Sequence, residues 1–225
     1  MSSDAAPPTP LEPGVWAILP TPFTPDGALD LASVATCVAF QRERGVTGLV
    51  ALGVFGEASA LSADEMDAVL AAVVAAADGL PVVAGLDPLG TDGAVALAAR
   101  LAGAAPGLRA VMVKVPSSDA ATTAAHLRAV ADAAGCGVVV QDYPARSGVT
   151  IAPEAVAEAT LACGAAVAVK AEAAPSAPTV ARLVAALAAA TRDADAPAHD
   201  TDPGATTAPV PVFGGLGGVG LLDEL

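Results

Sequence analysis

Seven short runs of apolar residues recur along the chain, and this periodicity limits the possible folds more than any other feature. The starts of successive runs are separated by 33, 34, 28, 28, 28 and 45 residues. Within each run the apolar residues are continuous rather than alternating, as in parallel strands that are covered on both faces. The runs are GVWAIL from Gly14, TGLVAL from Thr47, PVVAGL from Pro81, RAVMVKV from Arg109, GVVVQ from Gly137, AAVAVK from Ala165 and VPVF from Val210.

Helical patterns occupy the segments between these runs. The clearest follows the second run, where Ser62 and Glu65 are spaced as a capping box and apolar residues repeat at helical spacing from Met66 to Val73. Gly79 follows as a stop signal. Five further segments have similar patterns: residues 30–44, 91–104, 120–135, 153–163 and 176–191.

This alternation of strands and helices predicts an α/β fold with right-handed crossovers. Two architectures fit it, a (β/α)₈ TIM barrel and a doubly wound open sheet. No GxGxxG or GxxxxGK[ST] motif follows any of the runs. Because nucleotide-binding open sheets usually carry such a motif, the barrel is favoured.

The strand count predicts an incomplete barrel. A complete one takes about 250 residues or more, so we expect a barrel that is C-terminally truncated after about seven strands. Residues 1–13 are rich in Pro and Ala and are expected to be a disordered N-terminal segment. Residues 14–225 are expected to form a single incomplete TIM-barrel domain, in which residues 193–209 make a disordered loop.

Composition excludes several classes of function. The net charge is −14 with only ten basic residues, so the chain lacks the positive surface that nucleic acid or an anionic membrane requires. The longest apolar run, at 68–77, is far shorter than the ~20 residues of a membrane span. Three cysteines without CxxC spacing and two histidines suggest no metal site. With no secretion signal at the N-terminus, a cytoplasmic protein is expected.

Two lysines are the most specific chemical signal in the chain. Lys114 and Lys170 are the only lysines, and the other eight basic residues are arginines. Both lie near the C-terminal ends of apolar runs, where the chemistry of a TIM barrel takes place. Arginine cannot replace lysine where a neutral, nucleophilic amine is needed. The alternative is that each lysine is a structural ion-pair partner, and Glu172 is the obvious local partner of Lys170.

Two loops at the ends of predicted strands also carry possible site residues. In the segment 53–65, Gly53 and Gly56 suit a tight turn whose amides could bind a carboxylate, but the signal is weak and a plain turn is the favoured alternative. The segment 141–149 contains Tyr143, the only tyrosine, and Arg146, which could bind a carboxylate with two hydrogen bonds. A surface loop is the alternative there.

These elements, in this order, resemble the dihydrodipicolinate synthase/N-acetylneuraminate lyase family of Schiff-base-forming aldolases. The resemblance covers residues 14–225 and rests on PTPFTPDGALD, GVFGEASALSADE, YPARSG, VK in the sixth run and VFGGLGG in the seventh. It implies that Lys170 matches the lysine that forms an imine with a 2-oxo acid. It also implies substrate-binding roles for the following residues: Val54, Phe55, Gly56, Gln141, Arg146 and Gly214.

The chain departs from the family pattern where hydroxyl groups are expected. Val54 and Phe55 stand where synthase members usually have two hydroxyl residues, and Gln141 replaces the tyrosine that usually starts the fifth-strand motif. Ser117 and Ser118 replace an aromatic pair. The lysine, the glycines and the arginine are retained, which implies aldolase chemistry rather than one specific reaction.

The predicted function is a carbon–carbon or carbon–oxygen lyase that forms a Schiff base between Lys170 and pyruvate or a related 2-oxo acid, with an aldehyde as a possible second substrate. Tyr143 is two residues from Gln141, so it faces the same side if the strand stays extended up to Pro144, as residues before proline favour. From there it could move a proton, or its ring could simply cover the pocket. No cofactor or metal is required, and a homo-oligomer is expected for the full-length protein. The alternative is a non-catalytic ligand-binding or regulatory relative.

Overall fold

The computed structural model describes residues 8–88, 90–194 and 209–215. In these residues, seven β-strands form one sheet whose order follows the chain, β1 to β7. Each strand coincides with one of the seven apolar runs and extends at most one residue beyond it, so all seven predicted strands are confirmed. The strands are β1 (Trp16–Ile18), β2 (Gly48–Ala51), β3 (Val82–Leu86), β4 (Ala110–Lys114), β5 (Gly137–Asp142), β6 (Ala166–Ala171) and β7 (Val212–Gly214).

The helices follow the predicted segments to within about three residues. They are α1 (Leu31–Glu43), α2 (Ala63–Ala76), α3 (Thr91–Ala104), α4 (Ala120–Ala134), α5 (Pro144–Ser147), α6 (Pro153–Cys163) and α7 (Ser176–Ala194). The short helix α5 was not predicted. At α2 the predicted capping box is confirmed: the Glu65 amide donates to the Ser62 hydroxyl at 3.3 Å, and the Ser62 amide donates to the Glu65 carboxylate at 2.7 Å.

The contacts within the chain divide it into two compact units. The N-terminal unit comprises Glu12–Lys114 and Ala129–Val138. The C-terminal unit comprises the described residues within Met1–Leu11, Val115–Arg128 and Val139–Leu225.

The N-terminal unit is built on parallel pairing of β1 to β4. Val50 lies opposite Val83, and Ala84 lies opposite Val111. These strand residues are at most 5% exposed, which explains why their sequence is continuously apolar. The Trp16 ring lies over Gly48, where a Cβ would come within 2.3 Å of the ring, so only glycine fits.

The C-terminal unit contains the parallel pair of β6 and β7. Val169 lies opposite Val212, and Lys170 lies opposite Phe213. The backbone amide of Leu11 donates to the carbonyl of Val167 at 2.9 Å, and the Leu11 side chain is 5% exposed. Lys170 therefore lies near the carboxyl end of a strand whose preceding residues, 167–169, are apolar and buried.

Two expected boundaries differ from the structure. Leu11 belongs to the segment expected to be disordered, but it is an apolar side chain that gains by burial and its amide is hydrogen-bonded to β6; residues 1–7 lie outside the described residues. Helix α7 continues to Ala194, inside the loop expected over 193–209, and residues 195–208 lie outside the described residues. Nowhere in the described chain is a helix both long enough and apolar enough to span a membrane.

Candidate active site

Lys170 lies next to the last residue of β6, where its amine is held by a carboxylate. The Lys170 Nζ is 3.0 Å from the Glu172 Oε1, and the two side chains are 18% and 5% exposed. Side chains two residues apart along an extended segment point to the same face, so this pair follows from the local sequence KAE. The site thus combines an amine of limited exposure with a buried oxygen that can exchange a proton with it.

Glu172 is also bound from the neighbouring strand β5. Its Oε2 accepts a hydrogen bond from the Gln141 Nε2 at 2.6 Å, and Gln141 is 4% exposed. The Glu172 amide donates to the Asp142 carbonyl at 2.8 Å, which fixes the backbone at the same point. The structure therefore brings together two predicted site residues, Lys170 and Gln141, through Glu172.

The end of β7 leaves room for the Glu172 side chain. A Cβ at Gly215 would lie 2.1 Å from the Glu172 Cγ and 2.6 Å from its Oε1, so a larger residue there would displace the carboxylate. Gly214, the predicted substrate-binding residue, lies opposite Ala171 in the β6–β7 register and is exposed.

Asp142, the last residue of β5, is a second buried acid at this site. It is 1% exposed, and its Oδ1 has no hydrogen-bond partner among the described residues. Burial, together with the nearby charge of Glu172, raises the pKa of Asp142 from 3.8 to about 6. Strongly raised carboxyl pKa values are typical of functional sites.

Sequence reasoning did not assign a function to either acid. The sequence indicates Glu172 only as the local ion-pair partner of Lys170. A signal was present for Asp142, because an acidic residue ends an otherwise apolar strand in the segment VVVQD. For Glu172 the bond to Gln141 depends on the register between strands, which the sequence does not show.

Tyr143 and Arg146 lie just beyond β5. The strand ends at Asp142, and Tyr143 has φ −132° and ψ 76°, outside the values of a regular strand. The extension to Pro144 on which the expected position of Tyr143 depended is therefore wrong. Tyr143 is half-buried and precedes α5, and Arg146 is exposed in the last turn of that short helix.

The loop of Val54, Phe55 and Gly56 belongs to the N-terminal unit and forms one 3₁₀ turn. Val54 is 44% exposed and Phe55 is 67% exposed. The Gly56 amide donates to the Gly53 carbonyl at 3.0 Å, so that amide is already used within the loop. The Gly56 carbonyl accepts a hydrogen bond from the buried Thr21 hydroxyl at 2.6 Å, which ties the loop to the PTPFT segment.

Lys114, the other lysine, is a buried ion-pair partner in the N-terminal unit. Its side chain is 4% exposed, and its Nζ lies 2.9 Å from the Asp87 Oδ1 and 3.1 Å from the Leu86 carbonyl oxygen. A buried ammonium that is paired and hydrogen-bonded in this way needs no catalytic role to explain it. The structural interpretation therefore suits Lys114 better than the catalytic one.

No metal centre is visible in the part of the chain that the structure describes. Over residues 8–88, 90–194 and 209–215, no three His, Cys, Asp or Glu side chains group together in a way that could hold a metal ion.

Solved structures of similar architecture establish the fold. The crystal structure of dihydrodipicolinate synthase from Rhodopseudomonas palustris matches 98% of this chain and 69% of its own, with 26% identity and a TM-score of 0.78. That of dihydrodipicolinate synthase from Thermotoga maritima matches 81% of this chain and 62% of its own, with 28% identity and a TM-score of 0.73. Together with the seven parallel strands, these matches confirm the α/β fold and the TIM barrel followed through about seven strands.

Comparison of sequences places the chain in a family. The 4-hydroxy-tetrahydrodipicolinate synthase of Xanthomonas axonopodis pv. citri is 48% identical over 79 residues, which are 35% of this chain and 26% of that protein. The enzyme of the same name from Sorangium cellulosum is 45% identical over 80 residues, 27% of its length. The match thus spans about a quarter of these relatives. The family model of the dihydrodipicolinate synthetase family matches residues 12–188, and the chain belongs to that family.

Proposed function

We propose that this protein is a lyase of the class I aldolase type, in which Lys170 forms a Schiff base with pyruvate or a related 2-oxo acid. The observation that carries the proposal is the Lys170 amine at the carboxyl end of β6, 3.0 Å from the Glu172 carboxylate. Family membership adds support, since relatives are named 4-hydroxy-tetrahydrodipicolinate synthase.

The chemistry depends on the amine as a nucleophile. Attack of the Lys170 Nζ on the keto carbon, followed by loss of water, makes an iminium group that withdraws electrons from the adjacent carbon. A bond from that carbon to a proton, or to the carbon of an aldehyde, can then be made or broken. These reaction steps use neither a metal nor a diffusible cofactor.

The remaining site residues have proposed roles in binding and proton transfer. Arg146 binds the substrate carboxylate, Gln141 and Gly214 lie beside the Lys170–Glu172 pair, and Tyr143 moves a proton. The roles of Val54, Phe55 and Gly56 as substrate contacts rest on the resemblance alone. We further propose that the enzyme acts in the cytoplasm and, at full length, as a homo-oligomer.

Borohydride trapping tests the proposal. The chain is incubated with a panel of 2-oxo acids and sodium borohydride, and the reduced adduct is located by peptide mass mapping. We expect an adduct on Lys170 with at least one acid, no adduct in Lys170→Arg, and an unchanged adduct in Lys114→Arg. An adduct on Lys114 would overturn the assignment. No adduct with any 2-oxo acid would favour the non-catalytic alternative.

A further inference from the structure

The Glu172 carboxylate is held by more than its ion pair with Lys170. Its two oxygens have different partners, the Lys170 amine at 3.0 Å and the Gln141 amide at 2.6 Å. The space that it fills exists because Gly215 has no side chain. Three segments of the C-terminal unit thus shape one position for this carboxylate.

We propose that Glu172 is a catalytic acid–base residue that carries protons from the Lys170 nitrogen to the substrate oxygen while the imine forms. The inference rests on the proposed Schiff-base function and extends it. A group within hydrogen-bond reach of the reacting nitrogen satisfies the first geometric requirement for this role.

Imine formation requires two protons to pass from nitrogen to oxygen. Glu172 takes the first proton from the Lys170 ammonium, the amine adds to the keto carbon as the carbonyl π bond breaks, and Glu172 returns that proton to the new alkoxide. It then takes a second proton from the same nitrogen and gives it to the hydroxyl, which leaves as water while the C=N bond forms. The lysine ends as a protonated iminium and Glu172 as a carboxylate, so no external proton donor is consumed.

Gln141 gives this role a structural basis. Its amide neither gains nor loses a proton near neutral pH, and by donating to the Oε2 it leaves the Oε1 directed at the Lys170 nitrogen. The resemblance implies a tyrosine at position 141, and that hydroxyl is absent here. A buried carboxylate two residues from the lysine provides a proton carrier where the hydroxyl relay has been replaced.

Asp142, at the end of β5, is a second carboxyl group beside Glu172. It is a buried acid whose Oδ1 lacks a hydrogen-bond partner in the described structure, and its backbone carbonyl binds the Glu172 amide. Burial and the charge of Glu172 raise the pKa of Asp142 to about 6, so a proton on Asp142 is favoured beside the Glu172 carboxylate. Asp142 therefore adds a second carboxyl group that can hold a proton next to the Glu172 carboxylate.

The rate of imine formation in Glu172→Gln tests the proposal. The adduct with the best 2-oxo acid is quenched with borohydride at increasing times. We expect the rate to fall about 10²-fold or more, because glutamine keeps the shape but cannot carry a proton. Glu154→Gln is the matched control, since Glu154 forms an exposed ion pair with Arg182, and its rate should be unchanged.

Chemical rescue separates proton transfer from a structural role. In Glu172→Ala, added formate should restore part of the trapping rate, and Glu172→Asp should be faster than Glu172→Gln; the variants are checked for folding by circular dichroism. Trapping by Glu172→Gln at the wild-type rate, or a folded Glu172→Ala with no response to formate and an Asp variant no faster than Gln, would overturn the role of Glu172. A wild-type chain that traps no 2-oxo acid would instead overturn the proposed function itself.

Discussion

Replacing Asp142 with asparagine should change how the stability of the protein depends on pH. The pKa of Asp142 is raised from 3.8 to about 6, so the folded protein binds this proton more tightly than the unfolded chain does. The stability that the group contributes is therefore fully present below about pH 4 and is lost as the pH rises through about 6. At 1.36 kcal/mol per pKa unit, this difference amounts to about 3 kcal/mol at most.

The assay compares urea unfolding of the wild type and of Asp142→Asn between about pH 4 and pH 7. Asparagine does not titrate, so the free energy of unfolding of the variant should gain up to about 3 kcal/mol on that of the wild type over this range. The matched control is Asp132→Asn, which removes an exposed carboxylate on α4 and is unfolded over the same pH range to show that the gain is specific to the buried Asp142.

If the difference in unfolding free energy between the wild type and Asp142→Asn stays constant from about pH 4 to pH 7, Asp142 is not a carboxylate destabilised by burial and by Glu172. Asp142 would then not hold a proton beside Glu172, whatever the trapping experiments show.

Two further predictions concern the surroundings of Lys170. Tyr143→Phe keeps the ring but removes the hydroxyl, so a proton-transfer role predicts that turnover falls about 10²-fold while trapping on Lys170 is retained; turnover within a factor of two of the wild type would contradict that role. Gly215→Ala places a methyl group against Glu172, so the trapping rate should fall and the unfolding free energy should drop by about 1–3 kcal/mol. Its control, Gly103→Ala, has open space around it in α3 and should be neutral or slightly stabilising; equal behaviour of the two variants would refute the close contact.

The strands and most helices could be predicted from the sequence because their signals are local. Continuous apolar runs mark strands that are buried on both faces, and the Ser62–Glu65 capping box marks the start of α2. The position of Lys170 near the end of β6 also follows from its place in the run AAVAVK. These features depend on residues a few positions apart, so a single sequence contains them.

The parts that were not predicted depend on competing or distant interactions. Residues before proline favour extended backbone, which suggested that β5 continues to Pro144. Proline is also favoured at the first position of a helix, and at Pro144 this second preference prevails, so α5 begins there and Tyr143 leaves the strand. The contact of Glu172 with Gln141 joins residues of different strands, and it appears only once the strands are aligned.

The strand order has a consequence for synthesis on the ribosome. Paired residues such as Ala17 and Leu49, or Ala84 and Val111, are separated by roughly 30 positions in the chain, because each of these strands pairs with its immediate successor. Loop-closure entropy rises only slowly with length, so every such pairing closes a loop of similar and moderate cost. A nascent chain can therefore add one strand and its covering helix at a time, without waiting for a distant partner to emerge.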